Sequence, residues 1–352
     1  ANPVFKNVLV PVENLIGGEG DGFNIALKAL NSGRIAVAAI SAASAKQALN
    51  ISRTWAKNRI QWEGRPIGEK EQIGSMLMRM ATEILAMESL STYAALLMDR
   101  GKDSRVEAAA SKVFCSERAW ALVDDMLQIR GGRGYESSES LRRRENWAPP
   151  VERIWRDLRV SRILEGSSQI LSLWVCLAGF DFYLKMLEPI LDNHSSFIAR
   201  AKALIGFLGY YLRLFFGSRQ NERSLGLIPM PLRKHSEFIE KYSRKLAREI
   251  MFSMMRYQKK MKYKQMLVSR FFSIAANLTT IATVCGYVSD KRESPEYIRL
   301  LKIADIYCRM ARRRIRELFR ELSDNEDMNI RDMARRIMNG DYKYLEENVL
   351  TF

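Results

Sequence analysis

The stretch RDLRVSRILEGSSQI (residues 156–170) places one carboxylate, Glu165, between an apolar, arginine-rich run and a Gly-Ser-Ser-Gln tetrapeptide. Because Ile163 and Leu164 precede Glu165, we expect apolar surroundings to raise the pKa of its carboxyl group toward the range of a general base. Gly166 lets a ligand approach the backbone, and the next three side chains supply neutral hydrogen-bond donors. An ordinary carboxylate at the N-terminus of a helix has the same local pattern and stays an alternative at this point.

The 352-residue chain has the composition of a globular protein, with 47% hydrophobic and 27% charged residues. Its four cysteines and two histidines are too scattered for a disulfide framework or a zinc site, so no metal site is predicted. The formal net charge of +16 is concentrated in residues 177–352, which carry 32 Lys and Arg against 20 Asp and Glu. Such a surplus indicates an anionic partner, which could be membrane lipid, nucleic acid or an acidic protein. A solvated helical surface is the alternative.

Helical periodicity extends from Phe23 almost to the C-terminus. The predicted helices cover residues 23–57, 72–100, 104–130, 151–163, 167–188, 234–262, 264–289, 294–322 and 329–339. Before them, Val4–Val10 alternates as a β-strand does, Pro11 ends the strand, and a glycine-rich loop follows. The predicted fold class is therefore mainly α, with helical bundles over 23–188 and 189–352 after the end of a β domain in 1–22. A single strand needs partners, so we expect further sequence before this one.

The segment 197–216 begins the second bundle and is mostly apolar, with Arg213 the one charge in residues 203–216. It is too short to span a bilayer, but it suits a helix lying in the membrane interface with basic residues near anionic headgroups. We therefore predict membrane contact within residues 197–232. A core helix of the second bundle is the alternative.

The segment QIRGGRGY (residues 128–135) is a glycine-rich turn directly after a predicted helix. Because Gly131 and Gly132 lack a Cβ, their backbone N–H groups can approach a phosphate or a flat ring. Glycine also ends helices in proteins without any ligand, and that reading stays open for the turn taken by itself.

The segment NRIQWEGRPI (residues 58–67) combines an arginine with an aromatic residue. Arg59 can form a bidentate contact with phosphate, and Trp62 can flank a flat cofactor. A cation that complements the dipole at the C-terminus of a helix is the alternative for Arg59.

Together these segments resemble acyl-CoA dehydrogenases over about residues 4–178. Residues 156–170 are similar to the family signature R-D-x-(R/K)-(I/V)-x-x-I-x-E-G-(S/T)-x-(Q/E/D)-I, whose glutamate removes the α-proton of the substrate, which implies that Glu165 is the catalytic base. Residues 31–34, NSGR, resemble the segment that binds the CoA part of the substrate, with Asn31 in place of the usual Asp and Arg34 matching. Some members carry the catalytic glutamate just before this arginine, but Gly33 stands there, so Glu165 is the candidate.

The resemblance also implies FAD as the cofactor. Residues 128–135 are similar to the segment that contacts the adenosine-diphosphate part of FAD, typically from the neighbouring subunit. Residues 58–67 resemble the motif whose arginine binds the FAD pyrophosphate, with Glu63 inserted before Gly64, and Gln72 is a further candidate contact. The implied cofactor-binding residues are Arg59, Trp62, Gln128, Ile129, Arg130, Gly131, Gly132, Ser167, Ser168 and Gln169. The implied substrate-binding residues are Asn31, Arg34 and Gly166.

The additional basic helical domain resembles the very-long-chain branch of the family, whose members are membrane-associated homodimers. This resemblance implies dehydrogenation of long-chain acyl-CoA to trans-2-enoyl-CoA in fatty acid β-oxidation, with electrons passing to an electron-transferring flavoprotein. The chain is then expected to be an incomplete C-terminal part that is inactive and binds FAD weakly by itself.

Location and class of function each have alternatives. We expect a bacterial cytoplasmic location at the inner membrane, with the mitochondrial matrix or inner membrane as the alternative. A catalytically silent family member that binds nucleic acid or assembles through its basic C-terminal domain is the rival function. A purely structural helical module is a further rival.

Overall fold

The computed structural model describes residues 3–191, 196–216 and 227–347. The chain divides into two compact units, residues 1–171 and 172–352. Almost all regular structure in the described residues is helical, which confirms the mainly α fold class. The predicted domain boundary after residue 188 falls near the end of a helix, Ser168–Leu191, and stays a prediction.

The first unit is built on three long helices, α1 (Gly22–Asn58), α2 (Glu71–Asp99) and α3 (Arg105–Arg130). Helix α1 packs most extensively against α3. Its buried face consists largely of small side chains, which let the two helix axes come close. The fully or almost fully buried alanines of α1 are Ala38, Ala42, Ala45, Ala48 and Ala56.

Shorter elements connect and follow these helices. A two-stranded antiparallel hairpin, β1 (Ile60–Gln61) and β2 (Arg65–Pro66), links α1 to α2. After α3 come short helices and then a long one, namely α4 (Gly132–Tyr135), α5 (Ser138–Arg142), α6 (Val151–Arg159) and α7 (Ser168–Leu191).

The strand expected over Val4–Val10 is wrong, because residues 3–11 belong to no strand. A β-strand needs backbone hydrogen-bond partners, and the described part of the chain offers none to this segment. Its apolar side chains are exposed, 80% for Phe5 and 97% for Leu9. Alternation along the sequence therefore identified a strand-like pattern, but a strand forms only beside a second one.

The second unit contains α8 (Phe197–Phe216), α9 (Met230–Tyr257), α10 (Gln265–Asp290), α11 (Tyr297–Glu321) and α12 (Asp327–Met338). Its core lies where α10 packs against α11 and α9. Phe271, Ile281 and Tyr307 are fully or almost fully buried there. The part of the predicted membrane segment at residues 217–226 lies outside the described residues.

A buried histidine joins α9 to α11. The side chain of His235 is fully buried, and its Nε2 lies 2.9 Å from Oδ1 of Asp305. Arg312 donates to Nδ1 of His235 at 3.2 Å, so Nε2 carries the proton and the ring is neutral. Burial lowers the pKa of His235 further than the hydrogen bond to Asp305 raises it, and the charges of Arg312 and Lys234 lower it as well.

Replacing His235 tests how much it contributes to the decrease in the free energy of unfolding at acidic pH. Because the pKa of His235 is lower in the folded protein, the unfolded chain takes up the proton first as the pH falls below about 6.5, so the free energy of unfolding decreases. His235→Gln keeps a neutral donor and acceptor but does not titrate, so we expect a smaller decrease between pH 7 and pH 5. The measurement is the urea dependence of amide hydrogen exchange in α9 and α11. The same pH dependence in variant and wild type would contradict this role.

Candidate functional site

Glu165 and Gly166 form a sharp turn between α6 and α7. Both have positive φ angles, +57° for Glu165 and +98° for Gly166. For a non-glycine residue this conformation costs roughly 1–3 kcal/mol and persists only when its surroundings impose it. The side chain of Leu171 lies 3.0 Å from the place a Cβ on Gly166 would occupy, so a side chain there meets both strain and a contact.

The segment before the turn is anchored to α3. Arg162 donates through Nε to Oε1 of Glu117 at 2.8 Å, and its guanidinium lies 4.9 Å from the ring centroid of Trp120. A charge-assisted hydrogen bond and a cation–π contact therefore fix the chain three residues ahead of Glu165.

The carboxylate of Glu165 lies against α1 at Gly33. A Cβ built on Gly33 would be 2.9 Å from Cδ and Oε1 of Glu165 and 3.0 Å from Oε2. Oε2 is buried and has no hydrogen-bond partner among the described residues. Ile163 and Leu164, expected to give the carboxylate apolar surroundings, are 57% and 38% exposed, and their contact with it stays a prediction. The backbone reversal at Glu165 turns its side chain toward α1.

Arg34 follows Asn31 by about one helical turn on α1. It contacts the backbone of the Glu165–Gly166 turn. Its Nε donates to the carbonyl oxygen of Glu165 at 3.3 Å, and its NH1 donates to Oδ1 of Asn31 at 3.2 Å. Burial lowers the pKa of Arg34, and the nearby Glu165 opposes this shift. The predicted substrate-binding residues Asn31, Arg34 and Gly166 are thus brought together with the predicted base, and their binding role stays a prediction.

Lys112 is a part of this site that sequence reasoning missed. Its side chain is fully buried, and Nζ donates to the carbonyl oxygen of Gly166 at 2.8 Å. Burial lowers the pKa of Lys112 to about 8, although Glu117 and Glu165 oppose the shift. The available signal was a lysine within the run AAASKVFC (residues 108–115), where small and apolar neighbours predict a buried position.

A cavity of about 740 Å³ gathers most of the predicted cofactor-binding residues. It lies between the β1–β2 hairpin, the start of α2 and the end of α3. Its lining includes Arg59, Trp62, Gln72, Gln128, Ile129, Arg130, Gly131, Gly132 and Arg133. Two segments that lie about seventy residues apart in the sequence therefore face one space.

The insertion of Glu63 is absorbed in the hairpin loop. Trp62, Glu63 and Gly64 all have positive φ angles, +47°, +55° and +67°, and the strand register pairs Gln61 with Arg65. Glu63 is not one of the lining residues, and it accepts a hydrogen bond at 2.9 Å from Nζ of Lys70, which does line the cavity. Trp62 remains 75% exposed at the rim of the cavity.

Arg130 is held by aromatic rings at the end of α3. Its guanidinium carbon lies 4.2 Å from the ring centroid of Trp55 and 4.9 Å from that of Trp147. The residue is 2% exposed, and its side-chain nitrogens have no hydrogen-bond partner among the described residues, with Oε2 of Glu145 at 4.0 Å. Burial lowers its pKa, and the neighbouring charge of Arg133 lowers it further.

Ser167, Ser168 and Gln169 are placed elsewhere, at the start of α7 beside Glu165, and none of them lines the cavity. Ser168 is 6% exposed, and its Oγ donates to the carbonyl oxygen of Arg162 at 3.4 Å. The carbonyl oxygen of Ser167 accepts the hydrogen bond from Leu171 N at 2.9 Å. The predicted cofactor residues thus form two groups, and the role of each stays a prediction.

Comparison with known proteins identifies the family. Residues 20–175 match the family described as "Acyl-CoA dehydrogenase, C-terminal domain". The chain belongs to the acyl-CoA dehydrogenase family. All parts of the Glu165 turn and of the cavity lie inside the matched residues.

Relatives extend the likeness beyond this domain. The chain is 37% identical over 353 residues to "Probable acyl-CoA dehydrogenase FadE10" of Mycobacterium tuberculosis, covering 97% of this chain and 54% of that protein. It is 32% identical over 316 residues to the mitochondrial very long-chain specific acyl-CoA dehydrogenase of Mus musculus, covering 89% and 46%. The chain therefore spans about half the length of the curated relatives it matches.

A solved structure shows the same fold. An acyl-CoA dehydrogenase from Bacillus anthracis, complexed with FAD, matches with a TM-score of 0.72 at 23% identity, covering 92% of this chain and 55% of that one. At this identity the comparison supports the fold alone, and it includes both helical units of the chain.

Replacing Gly33 tests whether its contact with Glu165 sets the position of the carboxylate. The replacement is not expected to destabilise helix α1. Alanine favours a helix interior by about 1 kcal/mol over glycine, so Gly33→Ala should not lower the melting temperature. Its Cβ would meet the Glu165 carboxylate at 2.9 Å, which has to move to the ordinary contact range of 3.4–4 Å. Crystal structures of variant and wild type measure this displacement.

Gly286→Ala in α10 is the matched control, because nothing lies within 4 Å of a Cβ built there. It should be as stable as Gly33→Ala and leave Glu165 in place. A Gly33→Ala structure with an unmoved carboxylate would show that the contact does not define its position.

Proposed function

We propose that the protein carrying this chain catalyses the FAD-dependent α,β-dehydrogenation of long-chain fatty acyl-CoA to trans-2-enoyl-CoA, a step of fatty acid β-oxidation. The observation that carries the proposal is the buried Oε2 of Glu165, which has no hydrogen-bond partner in the described part of the chain and is held against Gly33 by a strained turn. Glu165 takes the proton from the α-carbon of the thioester. A carboxylate oxygen without a competing donor keeps its lone pair available for that proton.

The surroundings of Glu165 support the assignment. Arg34 and Lys112 both donate to backbone carbonyl oxygens of the turn. They therefore hold the base through its backbone. From the family resemblance we propose that Arg34 also binds the CoA part of the substrate, and Asn31 orients its guanidinium by accepting from NH1. Orientation of a base against its substrate accounts for a large part of the rate in such reactions.

The cavity between the hairpin and α3 fits a flat, anionic cofactor such as FAD. Arg59 and Arg133 provide positive charge, and exposed Trp62 offers an aromatic face. Nothing lies within 4 Å of a Cβ built on Gly131 or Gly132, so the cavity is open beside both glycines. The buried guanidinium of Arg130, whose nitrogens lack hydrogen-bond partners among the described residues, adds donors close to that space. FAD, when bound, accepts the hydride from the β-carbon of the substrate.

The preference for long acyl chains is supported by similarity to proteins named very long-chain specific acyl-CoA dehydrogenases. We propose an electron-transferring flavoprotein as electron acceptor and a homodimer as the assembly, both from the resemblance to the family. The relatives are mycobacterial and mitochondrial, so the location at the bacterial inner membrane and its mitochondrial alternative both stay open.

Replacing the base tests the proposed reaction. Glu165→Gln in the full-length protein keeps the shape of the side chain but cannot accept the proton, so we expect it to bind palmitoyl-CoA and FAD while the rate of flavin bleaching falls by about 100-fold or more. The measurement is stopped-flow absorbance of the flavin. Glu139→Gln is the matched control, because Glu139 forms only an exposed ion pair with Arg143 at 3.3 Å. Normal bleaching by Glu165→Gln would refute the assignment of the base.

We further propose that α8 lies in the interface of an anionic membrane. Its described apolar side chains are unusually exposed, 86% for Phe197, 78% for Ile198 and 71% for Ile205. Lys202 on the same helix is exposed as well, as expected for a basic helix that lies beside lipid phosphates. The comparably apolar helix α10 is instead mostly buried within its unit.

A charge placed on α8 tests this contact. Ile205→Glu should abolish flotation of the protein with vesicles that contain phosphatidylglycerol, because burying a carboxylate in the interface is costly. Ile298→Glu is the control, since Ile298 is 62% exposed on α11 of the same unit. Equal flotation of both variants would contradict the proposal. A strongly salt-dependent shift of DNA by the wild type would instead favour the nucleic-acid-binding alternative.

A further inference from the structure

We propose that Lys112 is a positioning residue, whose buried ammonium works with Arg34 to hold the Glu165–Gly166 turn so that the Glu165 carboxylate faces Gly33. The inference rests on the proposed role of Glu165 as the base. It adds a residue on α3 that is not part of the cavity lining and that acts through the backbone of the turn.

The burial of Lys112 is not explained by packing. The residue is fully buried in the N-terminal half of α3, where Ala108, Ala109 and Cys115 are also fully buried. An apolar side chain of similar length would satisfy such a position, because a buried ammonium is costly unless it is well paired. The 2.8 Å hydrogen bond from Nζ to Gly166 O is the contact that a hydrophobic residue could not make.

Two consecutive carbonyl groups of the turn are each held by a cation from a different helix. Glu165 O accepts from Arg34 on α1 at 3.3 Å, and Gly166 O accepts from Lys112 on α3 at 2.8 Å. Buried backbone carbonyls require partners, and charge-assisted hydrogen bonds are about twice as strong as neutral ones. The pair of cations therefore stabilises a turn whose φ angles of +57° and +98° are otherwise unfavourable.

Fixing this backbone fixes the direction in which the Glu165 side chain leaves it. If Gly166 O loses its donor, the turn can relax toward negative φ at Glu165, and the backbone strain is released. The carboxylate then no longer lies over Gly33. A displacement of about 1 Å at a reacting group can cost on the order of 100-fold in rate.

The charge state of Lys112 is consistent with its hydrogen bond to Gly166 O. With its pKa lowered by burial to about 8, Lys112 is still mainly charged at neutral pH. Glu117 and Glu165 favour the charged form, whereas Arg34 disfavours it.

The test compares Lys112→Met, which removes the donor, with Lys112→Gln, which retains a neutral N–H donor. Both are made in the full-length protein. Two quantities are measured: kcat and KM for palmitoyl-CoA at equal flavin content, and amide hydrogen exchange over residues 163–170. For Lys112→Met we expect kcat to fall about tenfold or more while KM changes less than about twofold, with faster exchange in the turn. Lys112→Gln should recover most of the rate and of the protection.

Val113→Ala is the matched control, because Val113 is 5% exposed on the same helix. It lowers stability through a cavity but should leave kcat and exchange at the turn unchanged. Lys112→Leu serves as a second apolar variant with the same expectation as Lys112→Met, in case methionine prevents folding.

The outcomes separate this inference from the proposed function. Wild-type kcat and wild-type exchange in both apolar variants would overturn the role of Lys112 while leaving the dehydrogenase proposal intact. Equal losses in Val113→Ala would also overturn it, since the effect would then be one of stability alone. A wild-type protein that binds flavin but does not reduce it with palmitoyl-CoA would contradict the proposed function, and the exchange data would still decide whether Lys112 holds the turn.

Discussion

The close packing of α1 against α3 is the constraint on which the site depends. Alanines on the buried face of α1 allow the two helices to approach. Arg34 on one helix and Lys112 on the other then reach consecutive carbonyl groups of the same turn. With the turn fixed between them, Gly33 provides the space into which the Glu165 carboxylate fits. Loss of this helix contact would separate the base from both residues that hold its backbone.

Much of the fold followed from the sequence because long helices with regular apolar spacing define themselves locally. The predicted helix over 264–289 is observed as Gln265–Asp290, and that over 104–130 as Arg105–Arg130. The strand over Val4–Val10 failed because pairing is not a local property. The hairpin around Trp62 was missed because its strands have two residues each, too few to show alternation.

The candidate site was predicted in part for similar reasons. Glu165, Arg34 and Asn31 stand in recognisable motifs, and the structure brings them together. Lys112 has no motif, and its relation to Gly166 exists only once α3 is packed beside the turn. The apolar surroundings expected from Ile163 and Leu164 were inferred from adjacency, whereas both side chains are largely exposed and the carboxylate lies against Gly33 of α1. The separation of Ser167–Gln169 from the cavity at Arg59 and Gly131 is expected if the glycine-rich turn serves the cofactor of a neighbouring subunit.

A crystal structure of the full-length protein with FAD and a non-reactive acyl-CoA analogue bound would test directly whether Glu165 is the base. The distance that matters joins the Glu165 carboxylate to the α-carbon of the thioester. We expect a carboxylate oxygen about 3–3.5 Å from that carbon, with Arg34 and Lys112 still bound to the turn. A structure in which another carboxylate occupies this position, or in which Glu165 points away from the α-carbon, would contradict it.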